Sequence, residues 1–328
     1  MQKTNSCLIV GAGLAGLTAG QCLQDAGWEV VLLEKARGAG GRMATRRIGK
    51  SRFDHGAQFF TVRDPLFQEA VNKWQAAGWV EPWFTEGGHV RYCGVEGMNR
   101  IGKELASSLD VRLEATVTQI DATEQGWRTI TSNGDSFATG AVLLTAPVPQ
   151  SIALVAGCFD HLTPEARSVL NGIVYEPCFA LLVILDGPSL IPVPGYVRPQ
   201  HGPIGFIADN NQKGLTAGAV ALTIHAQAAF TRSHFDAAQE EVIQRLLRAA
   251  GPWLGSEVRS CQLHRWTYSQ PTVPCAEPCL FSENPAPLAF AGDGFGAPRI
   301  EGAFLSGLAA AHQIKSHAAA RGICINVS

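Results

Sequence analysis

Gly11, Gly13 and Gly16 stand at G-x-G-x-x-G spacing, and an acid, Glu34, follows 18 residues after the third glycine. Residues of those types at that spacing are suited to one task, holding a dinucleotide. The first glycine permits a tight turn, the second lets backbone reach a pyrophosphate, and the third lets helix and strand pack closely. Amides and the dipole at the start of the helix attract phosphate. Glu34 can accept hydrogen bonds from a ribose 2′-hydroxyl, and its charge disfavours a 2′-phosphate, which makes NADP a poor ligand for this unit. The contacts expected here are Gly11, Ala12, Gly13, Leu14, Ala15, Gly16, Glu34 and Lys35.

The elements that must position them are legible. Residues 7–10 are a short apolar run of buried-strand length, residues 14–26 place small and apolar side chains at helical spacing, and Gly27 stops the helix. Residues 28–33 are a second β-rich run, which completes a βαβ unit. Next comes a loop with Gly38, Gly40 and Gly41 between Arg37 and Arg42. Alone it reads equally as a solvated basic loop or as an anion site. Directly after a dinucleotide-binding unit it reads as a second phosphate-contacting segment, with Arg42 the best single candidate. Residues 53–61, FDHGAQFFT, contain a turn at Asp54 and Gly56 and then run apolar.

Further along, helices are expected over 65–77, 99–109 and 235–250, and a single strand over 111–121. A Ser-Asn-Gly hairpin joins 127–131 to 135–138, and buried strands cover 141–145 and 178–186, the latter on both faces. Residues 187–205 read as an irregular connection, 258–268 as a strand, and 287–291 as a short strand that puts Asp293 at its end. From residue 300 a helix of small residues begins, suited to close approach to a cofactor or another helix.

Composition bounds the rest. At 328 residues two structural domains are expected, and 46% hydrophobic with 16% charged residues calls for a large interior. The net charge of −2, with scattered Lys and Arg, gives no footprint for nucleic acid. The longest apolar run of note, residues 178–185, is too short to span a bilayer, and the N-terminus leaves no room for a signal peptide, so a cytoplasmic protein is expected. The nine cysteines lack C-x-x-C spacing and read as reduced thiols; Cys275 and Cys279, flanked by Pro274 and Pro278, read as a loop, and no metal site is expected.

The opening unit, RGAGGRM, DHGAQFF and the C-terminal GD…EGAFLSG pattern together resemble the flavin-dependent amine oxidase superfamily, and within it the renalase-like branch. The resemblance implies an α/β fold: a Rossmann-type FAD-binding domain interleaved with a smaller substrate domain of mixed or antiparallel sheet plus helices, as in the p-hydroxybenzoate hydroxylase architecture. On that basis 1–60, 95–155 and 270–328 form the FAD-binding domain, and 61–94 and 156–269 the substrate domain. It implies that Gly41, Arg42 and Met43 lie over FAD, that Gly56, Ala57, Gln58 and Phe59 approach the flavin ring, and that the backbone of Val117 lies beside adenine. It also puts the Thr145–Ala146–Pro147 turn near the cofactor, Asp293 at the ribityl–pyrophosphate region, and the helix start at Glu301, Gly302 and Ala303 facing the flavin pyrimidine.

A flavin supplies redox chemistry itself, and the protein binds it and orients a donor. No cysteine stands in the S-G-G-C-Y context of covalent relatives, so FAD is expected to be non-covalent. No paired-tyrosine cage is legible among the four tyrosines. The renalase-like resemblance implies oxidation of dihydronicotinamide isomers of NAD(P)H, with oxygen as acceptor giving hydrogen peroxide. Gln58, Phe60, His264, Trp266 and Tyr268 are the substrate-side candidates. His264 and His55 read more readily as hydrogen-bonded structure than as acid–base groups, and hydride transfer from a dihydropyridine needs no base. Trp266 and Tyr268 share one side of a strand, for packing or for substrate. Two other classes stay open: an FAD amine oxidase or desaturase with another hydrophobic substrate, and a flavin-binding sensor without turnover.

Overall fold

The computed structural model describes residues 5–321. The outermost residues of the expected FAD-binding segments, 1–4 and 322–328, lie outside the described part.

The opening strand, Ser6–Val10, is buried at every residue. It is flanked by Ala141–Leu144 and Glu29–Leu33, both parallel to it. The full sheet has six strands, in the order Leu280–Ser282, Leu288–Phe290, Ala141–Leu144, Ser6–Val10, Glu29–Leu33, Asp110–Arg112, with only the first antiparallel. Unbroken apolar runs are what a parallel sheet covered on both faces demands. Side chains alternate between two cores. Ile9 packs with Leu17, Leu23, Ala310 and Ile314 of the first and last helices, Leu14–Gln24 and Ile300–Ala320. Leu8 and Val10 pack with Trp127, Val142 and Leu170 on the other face. That face is covered by a three-stranded antiparallel sheet, Val117–Thr123, Gly126–Thr131 and Ser136–Thr139, and the helices Val148–Leu154 and Pro164–Gly172.

A second large sheet is antiparallel, in the order Tyr196–Val197, Ile204–Asp209, Ala221–Ala226, Val174–Leu185, Val258–Val273. One face buries Leu181, Val183, Leu222 and Ile224 against Val242 and Leu246 of the helix Gln239–Leu254. The other face looks toward residues 53–58, with Leu182 and Ile184 packing on Phe53. No helix among the described residues is long and apolar enough to cross a membrane.

Several elements differ from the sequence reading. The strand expected over 111–121 is two strands serving two sheets. Asp110–Arg112 joins the parallel sheet, Glu114 takes a left-handed turn (φ 56°), and Val117–Thr123 starts the antiparallel one. A hairpin not expected from the sequence, Thr45–Ile48 with Ser51–Asp54 and turned at Gly49, follows the glycine-rich loop and carries Arg46 and Arg47. The strand expected at 178–186 begins at Val174 and is buried only from Phe179 onward. The strand expected at 258–268 continues to Val273.

The first and last helices meet backbone to backbone. A Cβ built at Gly307 would collide with the carbonyl oxygen of Ala15, which cannot move aside as a flexible side chain would. Gly307→Ala should therefore cost about 3 kcal/mol of stability by overpacking. Gly172→Ala, at the end of a helix with nothing within 4 Å, should cost nothing. Urea unfolding of the two variants measures the contrast.

Candidate flavin and substrate site

Four neighbouring parallel strands end at one edge of the six-stranded sheet, and each delivers a segment singled out from the sequence. The strand Ser6–Val10 runs into Gly11, whose φ of 102° suits glycine, and the Gly11 amide donates to Leu33 O. The strand Glu29–Leu33 ends at Glu34, and the strand Ala141–Leu144 at Thr145, whose hydroxyl donates to the carbonyls of Val10 and Gly11. The strand Leu288–Phe290 leads to Asp293. In open α/β sheets the crevice outside the carboxyl ends of the strands is where ligands bind.

Glu34 is buried, and its two carboxylate oxygens accept from the amides of Ala12 and Ala36, each at 2.8 Å. It fixes the glycine turn as well as facing the crevice. Lys35 is exposed and donates to Gln150. Val117 is buried beside Leu33 and Ala115, close to Glu34, whose carbonyl accepts from the Ala115 amide. The helix Leu14–Gln24 starts at Gly13 with no side-chain cap and no acid in its first turn, which leaves its amides for a ligand. A Cβ at Gly13 would meet nothing within 4 Å, whereas one at Gly16 would strike the Gly11 carbonyl.

The later segments are laid over this turn. Gly40 N donates to Ala12 O, Ala57 N to Arg42 O, and a Cβ at Gly41 would sit 3.1 Å from the Gly13 Cα. Met43 is in the core. Arg42 does not project as a free phosphate donor. Its guanidinium makes a bidentate pair with Asp293, at 2.7 and 2.6 Å, and reaches Ser269 O. Two residues expected to touch the cofactor separately thus form one bridge between the glycine-rich loop and the C-terminal element. Glu301 is likewise committed: Oε2 accepts from the amides of Arg63 and Asp64, which ties the helix start to the segment after Phe60. Gly302 and Ala303 follow in that first turn, and Gly302 has no room for a Cβ against Ala297 O.

On the substrate side, Phe206, His225, Ala180 and His264 are successive register partners across four strands of the antiparallel sheet, so they share one face. Trp266 lies on the same face, opposite Cys178. This face grips residues 54–58. The His55 carbonyl accepts from Trp266 Nε1 at 2.8 Å and from His225 Nε2 at 3.1 Å, and the His55 ring stacks on Trp266. Burial above all, helped by His264, pushes His55 down to about 3, and burial pushes His225 down to about 4. His264 is lowered by burial and then by Arg46, which donates to its Nδ1 at 3.4 Å. The three imidazoles are therefore neutral at pH 7.

Gln58 is buried; its amide nitrogen donates to Asp54 O and Gly56 O, while Oε1 and the Nδ1 of His55 have no partner. Phe60 is a correction to the substrate-side set. It is core, stacked on Tyr92 and edge-on to Phe67, while half-buried Phe59 faces the substrate sheet at Phe206. Tyr268 meets Tyr175, so the structure does bring two tyrosines together, edge to face at 5.8 Å. Sequence reasoning missed Lys213. Its ammonium is fully buried, pairs with Asp54 at 2.6 Å and donates to Gln58 O. Asp54 also accepts from Thr45 and the Met98 amide.

Residues 9–74 match the description NAD(P)-binding Rossmann-like domain, and residues 75–315 match flavin containing amine oxidoreductase. The chain belongs to the flavin containing amine oxidoreductase family. Within the family it is renalase-like: it is 26% identical to mouse (Mus musculus) renalase over 94% of this chain and 98% of that one. An acetone monooxygenase (methyl acetate-forming) of Gordonia sp. (strain TY-5) is 31% identical over 52% of this chain and 31% of its own. The fold is shared with a protein assigned as protoporphyrinogen oxidase from Exiguobacterium sp. 255-15, at a TM-score of 0.75, 14% identity, and 97% and 100% of the two chains covered. A putrescine oxidase triple mutant gives 0.68 at 14% identity, with 95% and 99% covered.

The protein is thus an FAD-dependent oxidoreductase, and the residues present fit that cofactor. The uncapped helix start, the open space beside Gly13 and the acid beside Ala12 suit a pyrophosphate and its ribose. Two expected outcomes follow for this family member. Gly13→Ala should keep the wild-type thermal midpoint and yet weaken FAD retention at least tenfold, because its methyl meets no protein atom and enters only the open space where a pyrophosphate would lie. Glu34→Gln keeps an oxygen for one amide but loses the charge that holds the Ala12 and Ala36 amides together and that would meet a ribose hydroxyl. FAD affinity should fall about tenfold with the order of donor preference unchanged, as judged by fluorescence titration of the apoprotein and by donor assays.

Proposed function

We propose that the enzyme oxidises dihydronicotinamide isomers of NAD(P)H back to NAD(P)+, holding FAD non-covalently and passing electrons to oxygen to give hydrogen peroxide. Bound FAD supplies the hydride acceptor. The observation that carries the reading is the row over residues 54–58: a flat indole and neutral imidazoles, with no group held as a proton acceptor by an acidic partner. A dihydropyridine gives up hydride without losing a proton, so it needs a stacking surface and a fixed distance, not a base. Trp266, with one face of its indole taken by the His55 ring, and His264, edge-on to it, supply the aromatic groups, and His225 and Trp266 hold the His55–Gln58 segment in place. Similarity to renalase along nearly the whole chain supports the same choice.

The amine oxidase reading needs two aromatic rings facing each other across a slot. Tyr175 and Tyr268 lie 79° apart in plane, and Tyr175 accepts from the Val148 amide beneath the Arg42 guanidinium. That arrangement leaves no parallel slot for an amine.

Anaerobic mixing should show flavin bleaching by dihydronicotinamide isomers and none by a panel of primary and secondary amines; bleaching by an amine alone would remove the proposal. The pH profile offers a separate check. His55 and His225, shifted down to about 3 and about 4, and His264, lowered from its ordinary value by burial and Arg46, are all neutral from pH 8 to 7, so the rate of bleaching at saturating donor should be flat across that window. Their effect on stability has the opposite look. Both groups bind a proton more readily unfolded, near 6.5, than folded, so the stability they give is full above 6.5 and is lost as pH falls toward 4 and then 3. His225→Gln, which keeps a donor for the His55 carbonyl, should flatten that acid limb by up to about 1.4 kcal/mol per pH unit.

A further inference from the structure

Arg91 and Arg198 belong to no motif of the cofactor site and come from separate segments, one from the hairpin strand His89–Gly94, the other from just beyond the edge strand Tyr196–Val197. They converge on one carboxylate. Both approach Glu86 Oε2 at 3.3 Å, and Tyr196 donates to Glu86 Oε1 at 3.1 Å. Two guanidinium groups on a single carboxylate leave one positive charge uncompensated, and Arg198 is exposed with donors to spare.

Both cations also lie over aromatic faces. Arg198 sits 5.4 Å from the Phe206 ring centre and 5.6 Å from that of Phe59, and Arg91 is 5.6 Å from Phe59 on its own account. Tyr196 stacks on Phe84 at 4.2 Å and on Phe206 at 5.6 Å, nearly parallel in each case. Flat rings with a surplus guanidinium charge suit a ligand that is both planar and anionic.

The position is as informative as the chemistry. Phe206 is the outer member of the row that runs through His225 and Ala180 to His264. Three strand spacings, about 14 Å, separate the strands that carry Phe206 and His264. Phe59 directly follows Gln58 and touches Phe206 at 6.0 Å, so the patch adjoins the inner site without a break.

We infer that Arg198 and Arg91, with the Tyr196 and Phe206 rings, form a subsite for the adenosine diphosphate half of a dinucleotide donor whose nicotinamide lies at the His264–Trp266 end. The inference rests on the dihydronicotinamide reading for the inner end of the ligand only. Glu86 then acts as a gate on affinity, since it competes with the diphosphate for the same two arginines.

The test uses FAD-saturated holoenzyme, so that the cofactor's own ADP site is filled. Reduction is followed with one dihydronicotinamide isomer supplied as dinucleotide and as riboside, and ADP binding is measured by calorimetry. Wild type should favour the dinucleotide in kcat/KM and bind ADP with an affinity that falls as salt rises. Arg198→Ala should cut the dinucleotide-to-riboside ratio and the ADP affinity about tenfold, and Glu86→Gln should raise both. A merely structural role for the cluster would move the two variants in the same direction. Failure of ADP to bind wild-type holoenzyme, or an equal ratio in all three proteins, overturns the subsite. If no dihydronicotinamide bleaches the flavin, the proposed reaction falls, and the ADP titration still decides the subsite by its response to Arg198→Ala and Glu86→Gln.

Discussion

Asp54 and Lys213 form an ion pair with no side-chain exposure on either partner, and the site is built around it. Charges buried to that degree are tolerated only when every remaining bond is made. Asp54 accepts from Lys213, from the Thr45 hydroxyl and from the Met98 amide, while Lys213 uses a further proton on the Gln58 carbonyl and lies over the Trp83 ring. The pair joins a loop of the antiparallel sheet to the segment that should meet the flavin ring. Removing one partner would strand the other charge in the interior, so the two halves of the site are specified together.

The parts of the site that sequence disclosed are those in which a physical requirement maps onto neighbouring residues. Gly11 must reach positive φ, Glu34 must end a strand beside the glycine turn, and Asp293 must end another. Such requirements repeat at short range and leave a spacing. Lys213 leaves none, because residues 210–214 have the polar, glycine-ended composition of an exposed turn, and only the approach of Asp54, 159 residues earlier, buries it. Separation in sequence likewise hid the meeting of Tyr175 with Tyr268 and the arrival of Arg198 at Glu86. Phe60 was misread because adjacent residues of an extended segment face opposite ways. Phe59 turns to the substrate sheet, so Phe60 must turn to the core.

The Arg42–Asp293 bridge shows a related limit. Both residues were legible as charges near a phosphate, yet each has the other as its partner, bidentate and half-buried. Two motifs that read as independent contacts to one ligand can form a preorganised frame, in which the ligand meets the amides and the frame holds their positions. Glu34 and Glu301 follow the same rule, since each holds backbone amides of a segment distant in sequence or at the end of its own strand.

Backbone packed on backbone at Gly16, Gly302 and Gly307 has a consequence for divergence. Where a carbonyl fills the space of a missing methyl, no second substitution nearby can restore the fit, so these three positions beside the nucleotide site have almost no neutral paths open to them. The antiparallel sheet is built differently. Its contacts with residues 53–58 run through side chains such as Phe53, Leu182 and Trp266, which can be exchanged in compensating pairs. A lineage starting from this architecture can therefore change its donor one pair at a time while its cofactor stays fixed.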